Sequence, residues 1–317
     1  MGCVMYSLII PVYKNEGSIP ELIIEIDRLN QNLDYQLEAV FVVDGSPDNS
    51  YGELSSRLAQ AAFRSTVICL SRNFGSFAAI RTGLAAATGP LFAVMAADLQ
   101  EPPELVRDMF LTLRDEEVDV ALGVRASRED PGLSTLFSSL FWAVYCRFIQ
   151  HEMPRGGVDM FGCNQKVRDC LLALEESNST LVGLLLWVGF KRRKIPYHRR
   201  ARKVGKSGWT FRRKFRYMTD SMFAFSSLPI ITLNVFGFLG VVASVLIGGV
   251  ILLFWALGLI DVSGYTPIML SIMFFGALNI FGLGLLGSYI WRAFENTKRR
   301  PNYIEMSREH FLGGPPQ

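Results

Sequence analysis

Two stretches toward the end of the chain, residues 228–260 and 267–291, carry no charged side chain, and no other feature restricts the fold so strongly. Asn234 is the one strongly polar residue of the first run, and Asn279 lies within the second. Each run exceeds the roughly 20 residues a helix needs to cross about 30 Å of hydrocarbon. A single Arg or Asp at the centre of such a helix would cost roughly 2.5–3.5 kcal/mol on insertion scales, so two clean runs argue for spanning over burial in a large soluble core. Two transmembrane helices, at about 229–258 and 267–291, are therefore expected. The 50% hydrophobic content is concentrated after residue 228, and the preceding part reads as an ordinary globular sequence.

The flanks orient the pair. Arg212, Arg213, Lys214 and Arg216 precede the first run, and Arg292, Lys298, Arg299 and Arg300 follow the second. The connection between them holds Asp261 and no Lys or Arg. Positive flanks stay in the cytosol, which predicts a helical hairpin with both chain ends cytosolic. The expected division is a cytosolic domain at 1–205, an amphipathic interfacial helix at 206–227, the membrane segment at 228–293 and a cytosolic tail at 294–317. Cys3, Cys69, Cys146, Cys163 and Cys170 are odd in number and form no C-x-x-C pair, as in a reducing compartment. The apolar run 6–12 is short and lacks a basic leader, so it is not read as a signal peptide.

In the soluble part, buried strands are expected at 6–12, 37–43, 66–70, 91–96 and 119–124. Helices fall between them, at 19–29, from about 50, at 75–87 and from Pro102-Pro103. This alternation predicts an α/β fold with a mostly parallel sheet covered by helices on both faces. Ligands of such sheets bind beyond the carboxyl ends of the strands. The polar segments 13–16, 44–48, 72–73 and 98–101 all fall at those ends and converge on one rim. Residues 133–149 are expected to form a helix lying on the membrane surface or the sheet, and 209–225 a basic amphipathic helix. The basic run from Lys191 to Lys203 is assigned to lipid headgroups and not to nucleic acid, because it precedes that helix. Local chemistry alone allows Asp44 to be a turn-forming residue and Asp98 a helix cap.

The segments PVYKNE (11–16), VDGSPDNS (43–50), SRNFGSFAAIRTGL (71–84) and ADLQEPPEL (97–105) together resemble the family 2 glycosyltransferases of GT-A (Rossmann-like) fold. GVDMFGCNQKV (157–167), GKSGWTFRRKFRYMTDS (205–221) and the two apolar runs are similar to its polyprenyl-phosphate branch, to which dolichol-phosphate mannose synthases and undecaprenyl-phosphate glucosyltransferases belong. The resemblance implies that Pro11, Tyr13, Asn15, Glu16, Asp44 and Asn73 hold the nucleotide. It implies that Asp98 and Gln100 bind a divalent cation, Mg²⁺ or Mn²⁺, with Ala96 standing where members commonly have a first Asp and Val43 where they often have another. It further implies that Arg125 and Arg128 face the lipid phosphate, that Asp159 positions the acceptor and that Lys206 contacts a phosphate. The resemblance implies inverting transfer of a sugar, a UDP-hexose before GDP-mannose, to a polyprenyl phosphate, by a homo-oligomer embedded in the lipids of a bacterial plasma membrane. A processive polysaccharide synthase and a non-catalytic binder of nucleotide sugars are the alternatives. The first would usually carry Q-x-x-R-W and more spans, and this sequence has neither.

Overall fold

A computed structural model describes residues 5–115, 117–125, 153–154, 157–158, 160–176, 180–200, 219–226, 228–259 and 264–314. The helix expected at 133–149 and most of 206–227 lie outside them.

The first strands form because their residues can be buried on both faces. β1 (Tyr6–Val12), β2 (Leu37–Val43) and β3 (Arg64–Leu70) are rich in Val, Ile and Leu, and β2 is buried along its whole length. Leu8, Ile10 and Val12 alternate with Ile9, so β1 feeds two layers of core. One layer is filled by α1 (Ile19–Gln31), whose Ile19, Leu22, Ile23, Ile26 and Leu29 recur at helical spacing. α4 (Pro103–Asp115) joins it with Leu105, Val106, Met109, Phe110 and Leu113, and Phe110 lies 4.9 Å from the Tyr6 ring. The other face takes α3 (Ser76–Ala86), where Gly83 lets the helix approach so closely that a Cβ would lie 2.4 Å from Ile9 Cγ2. α2 (Ser50–Leu58) connects β2 to β3.

β4 (Leu91–Val94), β5 (Val120–Arg125), β6 (Met160–Asn164), β7 (Arg192–Tyr197) and β8 (Glu305–Phe311) complete an eight-stranded sheet of order β7-β5-β6-β4-β1-β2-β3-β8. β3-β2-β1-β4 is a continuous parallel run. β6 runs antiparallel between β4 and β5, β7 lies parallel to β5, and β8 closes the far edge antiparallel to β3. The mostly parallel sheet with helices on both faces is thus present, and the five expected strands form within a few residues of their expected bounds. β6, β7 and β8 are additions to that expectation.

Contacts divide the chain into two units, Met1–Tyr217 with Arg300–Gln317, and Met218–Arg299. In the second, the short helix Thr219–Phe225 turns by 82° into the helix Leu228–Ala256, which is followed by the helix Tyr265–Thr297. Within the latter, Phe274–Thr297 is long and apolar enough to cross a membrane. Phe236, Phe238, Leu246, Ile280 and Phe281 are exposed along the two helices, an apolar surface of the kind that marks a contact with protein or membrane. Arg292 pairs with Asp220 at 2.8 Å and lies over the Phe223 ring, tying the short helix to the last one.

Candidate active site

Four segments leave the carboxyl ends of the parallel strands on the same edge: 13–18 after β1, 44–50 after β2, 71–75 after β3 and 95–101 after β4. They are cross-linked mainly by side chains bonding to backbone. Ser46 Oγ accepts from Lys14 N–H (2.8 Å) and donates to Asp48 Oδ1 (2.5 Å). Asn15 N–H donates to Ser50 Oγ (3.2 Å), whose hydroxyl in turn donates to Asp48 (2.7 Å). Glu16 bonds across the gap in both directions: its N–H donates to Asp48 Oδ2 (3.2 Å), and its Oε2 accepts from Asn49 N–H (3.1 Å). Ser18 Oγ donates to the Ala97 carbonyl (2.9 Å), fastening the first segment to the fourth.

Asp44 is 2% exposed and binds the second segment to the third. One carboxylate oxygen accepts from Phe74 N–H (2.7 Å) and the other from Gly75 N–H (2.8 Å), while Asn73 Nδ2 donates to the Asp44 carbonyl (3.2 Å). Burial raises the Asp44 pKa above the ordinary aspartate value, against the lowering effect of these two N–H groups and of Arg72. The adjoining Gly45 has φ +58°, and a Cβ there would lie 2.4 Å from the Arg72 carbonyl carbon and the Asn73 nitrogen. Only glycine allows that approach.

Of the remaining expected residues, Pro11 lies inside β1, where β4 pairs only as far as Val94 opposite Ile9, so no ladder bond from Pro11 to β4 is missing. Tyr13 is exposed, with the Lys14 ammonium 5.5 Å from its ring, and Tyr13 N–H donates to Asn15 Oδ1 (3.0 Å). Arg125 ends β5, half-buried and in register with Tyr197 of β7. Arg128, Asp159 and Lys206 lie outside the described residues.

Asp98 is half-buried and accepts from Gln100 N–H (3.3 Å). Leu99 between them has φ +53°, and Lys14 in the first segment has φ +58°. Such conformations cost roughly 1–3 kcal/mol each and persist where surroundings impose them. Arg199, following β7, reaches this turn: its Nη2 donates to Gln100 Oε1 (2.7 Å) and lies 3.5 Å from Glu101, while Arg200 N–H donates to the Gln100 carbonyl (2.8 Å). The Gln100 amide oxygen therefore faces a guanidinium, and Asp98 is the charged oxygen donor of the motif. Among the described residues no group of three or more His, Cys, Asp or Glu could hold a metal. This donor set fits a hard divalent ion that takes most of its ligands from a diphosphate and water, with Asp98 as its protein anchor. It does not fit an ion enclosed by protein alone.

From the sequence, Arg199 and Arg200 belong to a headgroup-binding run, Ser46 and Asp48 are placed only by the rim segment 44–48, and Ser18 and Ser50 have no part of their own. For Ser46, Asp48 and Ser50 the signal was the spacing of D-G-S-P-D-N-S, in which short polar side chains reach backbone two residues away. For Arg199 and Arg200 no local signal existed, because their partners are about a hundred positions earlier.

The family model described as glycosyl transferase family 2 matches residues 7–172. The undecaprenyl-phosphate 4-deoxy-4-formamido-L-arabinose transferase of Enterobacter sp. is 31% identical over 94% of this chain and 91% of its own length. An uncharacterized glycosyltransferase of Synechocystis sp. is 30% identical over 94% of this chain and 93% of its own. The prophage bactoprenol glucosyl transferase homolog of Escherichia coli is 27% identical over 94% and 97%.

Proposed function

The chain belongs to glycosyl transferase family 2, and from that premise we propose that it moves a sugar from a nucleotide-sugar donor, a UDP-hexose first, to a polyprenyl phosphate at the cytosolic face of a membrane. One observation carries the reading: four polar segments, bonded to one another, stand on the edge where a parallel sheet receives ligands. Similarity over almost the whole length to transferases named for undecaprenyl phosphate and bactoprenol supports the acceptor.

In this reading the segments 13–16 and 44–50 hold the nucleoside. Exposed Tyr13 offers a ring face, and Glu16 an acceptor for ribose or base donors. Asp44 acts one step back, fixing Asn73 to Gly75. A Mg²⁺ or Mn²⁺ ion on Asp98 would supply neutralisation of the diphosphate leaving group. The acceptor phosphate is already ionised at neutral pH, so the residues around it are asked for placement and not for proton removal. Its oxygen attacks the anomeric carbon, the carbon–oxygen bond to the nucleoside diphosphate breaks, and the configuration inverts. Arg125 and Arg128 screen the repulsion of the two anions, Asp159 orients the acceptor, and Lys206 contacts a phosphate.

The reading also sets both ends of residues 218–299 on one side of the membrane. β8, which follows this stretch, pairs with β3, which precedes it, and this supports an even number of crossings by a two-helix hairpin.

The test is a thermal-shift screen of sugar nucleotides with and without Mn²⁺. A UDP-hexose should raise the melting temperature, the ion should increase that rise, and Asp98→Ala should erase the ion's part while leaving the unliganded melting temperature in place. A ligand response in Asp98→Ala that keeps its full ion dependence contradicts the assignment.

A further inference from the structure

β8 does more than cover a sheet edge. Its Glu309, in register with Val67, turns its carboxylate to α2: one oxygen accepts from the Tyr51 hydroxyl and the other from Ser55 Oγ (3.3 Å). Tyr51 and Ser55 are one helical turn apart, so Glu309 holds the first turn of α2 from one side. That same turn begins with Asn49 and Ser50, which hold Glu16 and Asn15 of the first rim segment. Just before β8, the Ile304 carbonyl accepts from Ser71 N–H (3.0 Å) and carries the β3 ladder into the third segment, which Asp44 then braces. The returning strand thus supports two of the four rim segments through separate contacts. An edge cover alone would need no carboxylate aimed at a helix; alternating charged residues on β8 would suffice.

We infer that β8 is a latch that orders the rim segments 13–16 and 71–75, with Glu309 as its positioning residue acting through Tyr51 and Ser55. The inference rests on the donor reading above only for its consequence in catalysis, since the ordering itself is a property of the folded chain. The Glu309 carboxylate is engaged with α2 and is none of the groups assigned to donor or acceptor, so its removal loosens the nucleotide segments without removing a reacting group.

The experiment is hydrogen exchange on the full chain, joined to steady-state kinetics, for Glu309→Ala, Tyr51→Phe and the double variant. Exchange at the amides of Asn15, Glu16, Asn49 and Ser50 should accelerate roughly tenfold in either single variant, the share of a charge-assisted hydrogen bond, and no further in the double. The KM for the sugar nucleotide should rise several-fold while kcat and the KM for the lipid phosphate hold. Tyr51→Phe removes one oxygen atom and keeps the test open should Glu309→Ala not fold. Unchanged exchange at those four amides in a folded variant overturns the latch, as does exchange that rises equally across the sheet. Accelerated exchange in a protein whose wild type binds no sugar nucleotide upholds the latch and removes the donor reading instead.

Discussion

Asp44 and Asp48 lie in one turn, and their pKa values are shifted in opposite directions from the ordinary aspartate value. For Asp44 burial prevails over the two N–H groups that favour the charged carboxylate, and its pKa rises. Burial also pushes Asp48 upward, but the hydroxyls of Ser46 and Ser50 and the amides of Glu16 and Ser50 prevail, and its pKa falls. The stabilisation from Asp48 is therefore present above the ordinary aspartate range and disappears as pH falls through its lowered folded value. That from Asp44 is present below the ordinary range and is lost as pH rises through its raised value. Asp48→Asn should flatten the loss of thermal stability between neutral and strongly acidic pH; an acid limb as steep as the wild type's would count against the bonds assigned to Asp48. Gly45→Ala should destabilise by about 2 kcal/mol or more, because a Cβ meets backbone at positive φ, where no rotamer can relieve it. Calorimetry measures this, and a melting temperature equal to the wild type's would contradict the close approach of the two segments.

At the level of elements, the parallel half of the sheet was legible because both its faces are buried and its strands are unbroken apolar runs. β6, β7 and β8 were not, and each for its own reason. β6 has five residues, with Gly162 packed under the Phe92 carbonyl. β7, Arg-Arg-Lys-Ile-Pro-Tyr, reads as a solvated basic run; it is an edge strand, where charge and proline are tolerated. β8 shows only one half-buried face, and its partner β3 lies more than two hundred positions earlier, a pairing that no local pattern reports. The site follows the same division. Its residue types and their place at strand ends could be read, whereas the use of the Asp44 carboxylate on backbone and the reach of Arg199 to Gln100 depend on the folded chain. The contact of α3 with β1 gives a test at this scale: Gly83→Val forces bulk against Ile9 and should cost about 1–3 kcal/mol as overpacking. A melting temperature unchanged by that substitution would mean that α3 does not seat where Gly83 meets the sheet.

For the whole molecule, the sheet and the apolar helices state one topological constraint. In the proposed hairpin, the chain that leaves the sheet at β7 and rejoins it at β8 returns to the side of the membrane from which it left. A cysteine placed at Gly264, between the helices, should react with an impermeant reagent added outside intact spheroplasts. With Cys3, Cys146 and the exposed Cys170 replaced by Ser, one at exposed Met306 on β8 should react only after lysis, while the buried Cys69 and Cys163 stay silent. Labelling of both from the same side would contradict the hairpin. The chain is a glycosyltransferase by family, and its acceptor decides the rest of the account. The most direct measurement incubates the purified full chain with a labelled UDP-hexose, a divalent ion and polyprenyl phosphate. Label should move into the lipid fraction as a single sugar per lipid, and Asp98→Ala should lower the rate at least about a hundredfold. Label recovered as polymer, or as intact sugar nucleotide bound without turnover, would contradict this transfer.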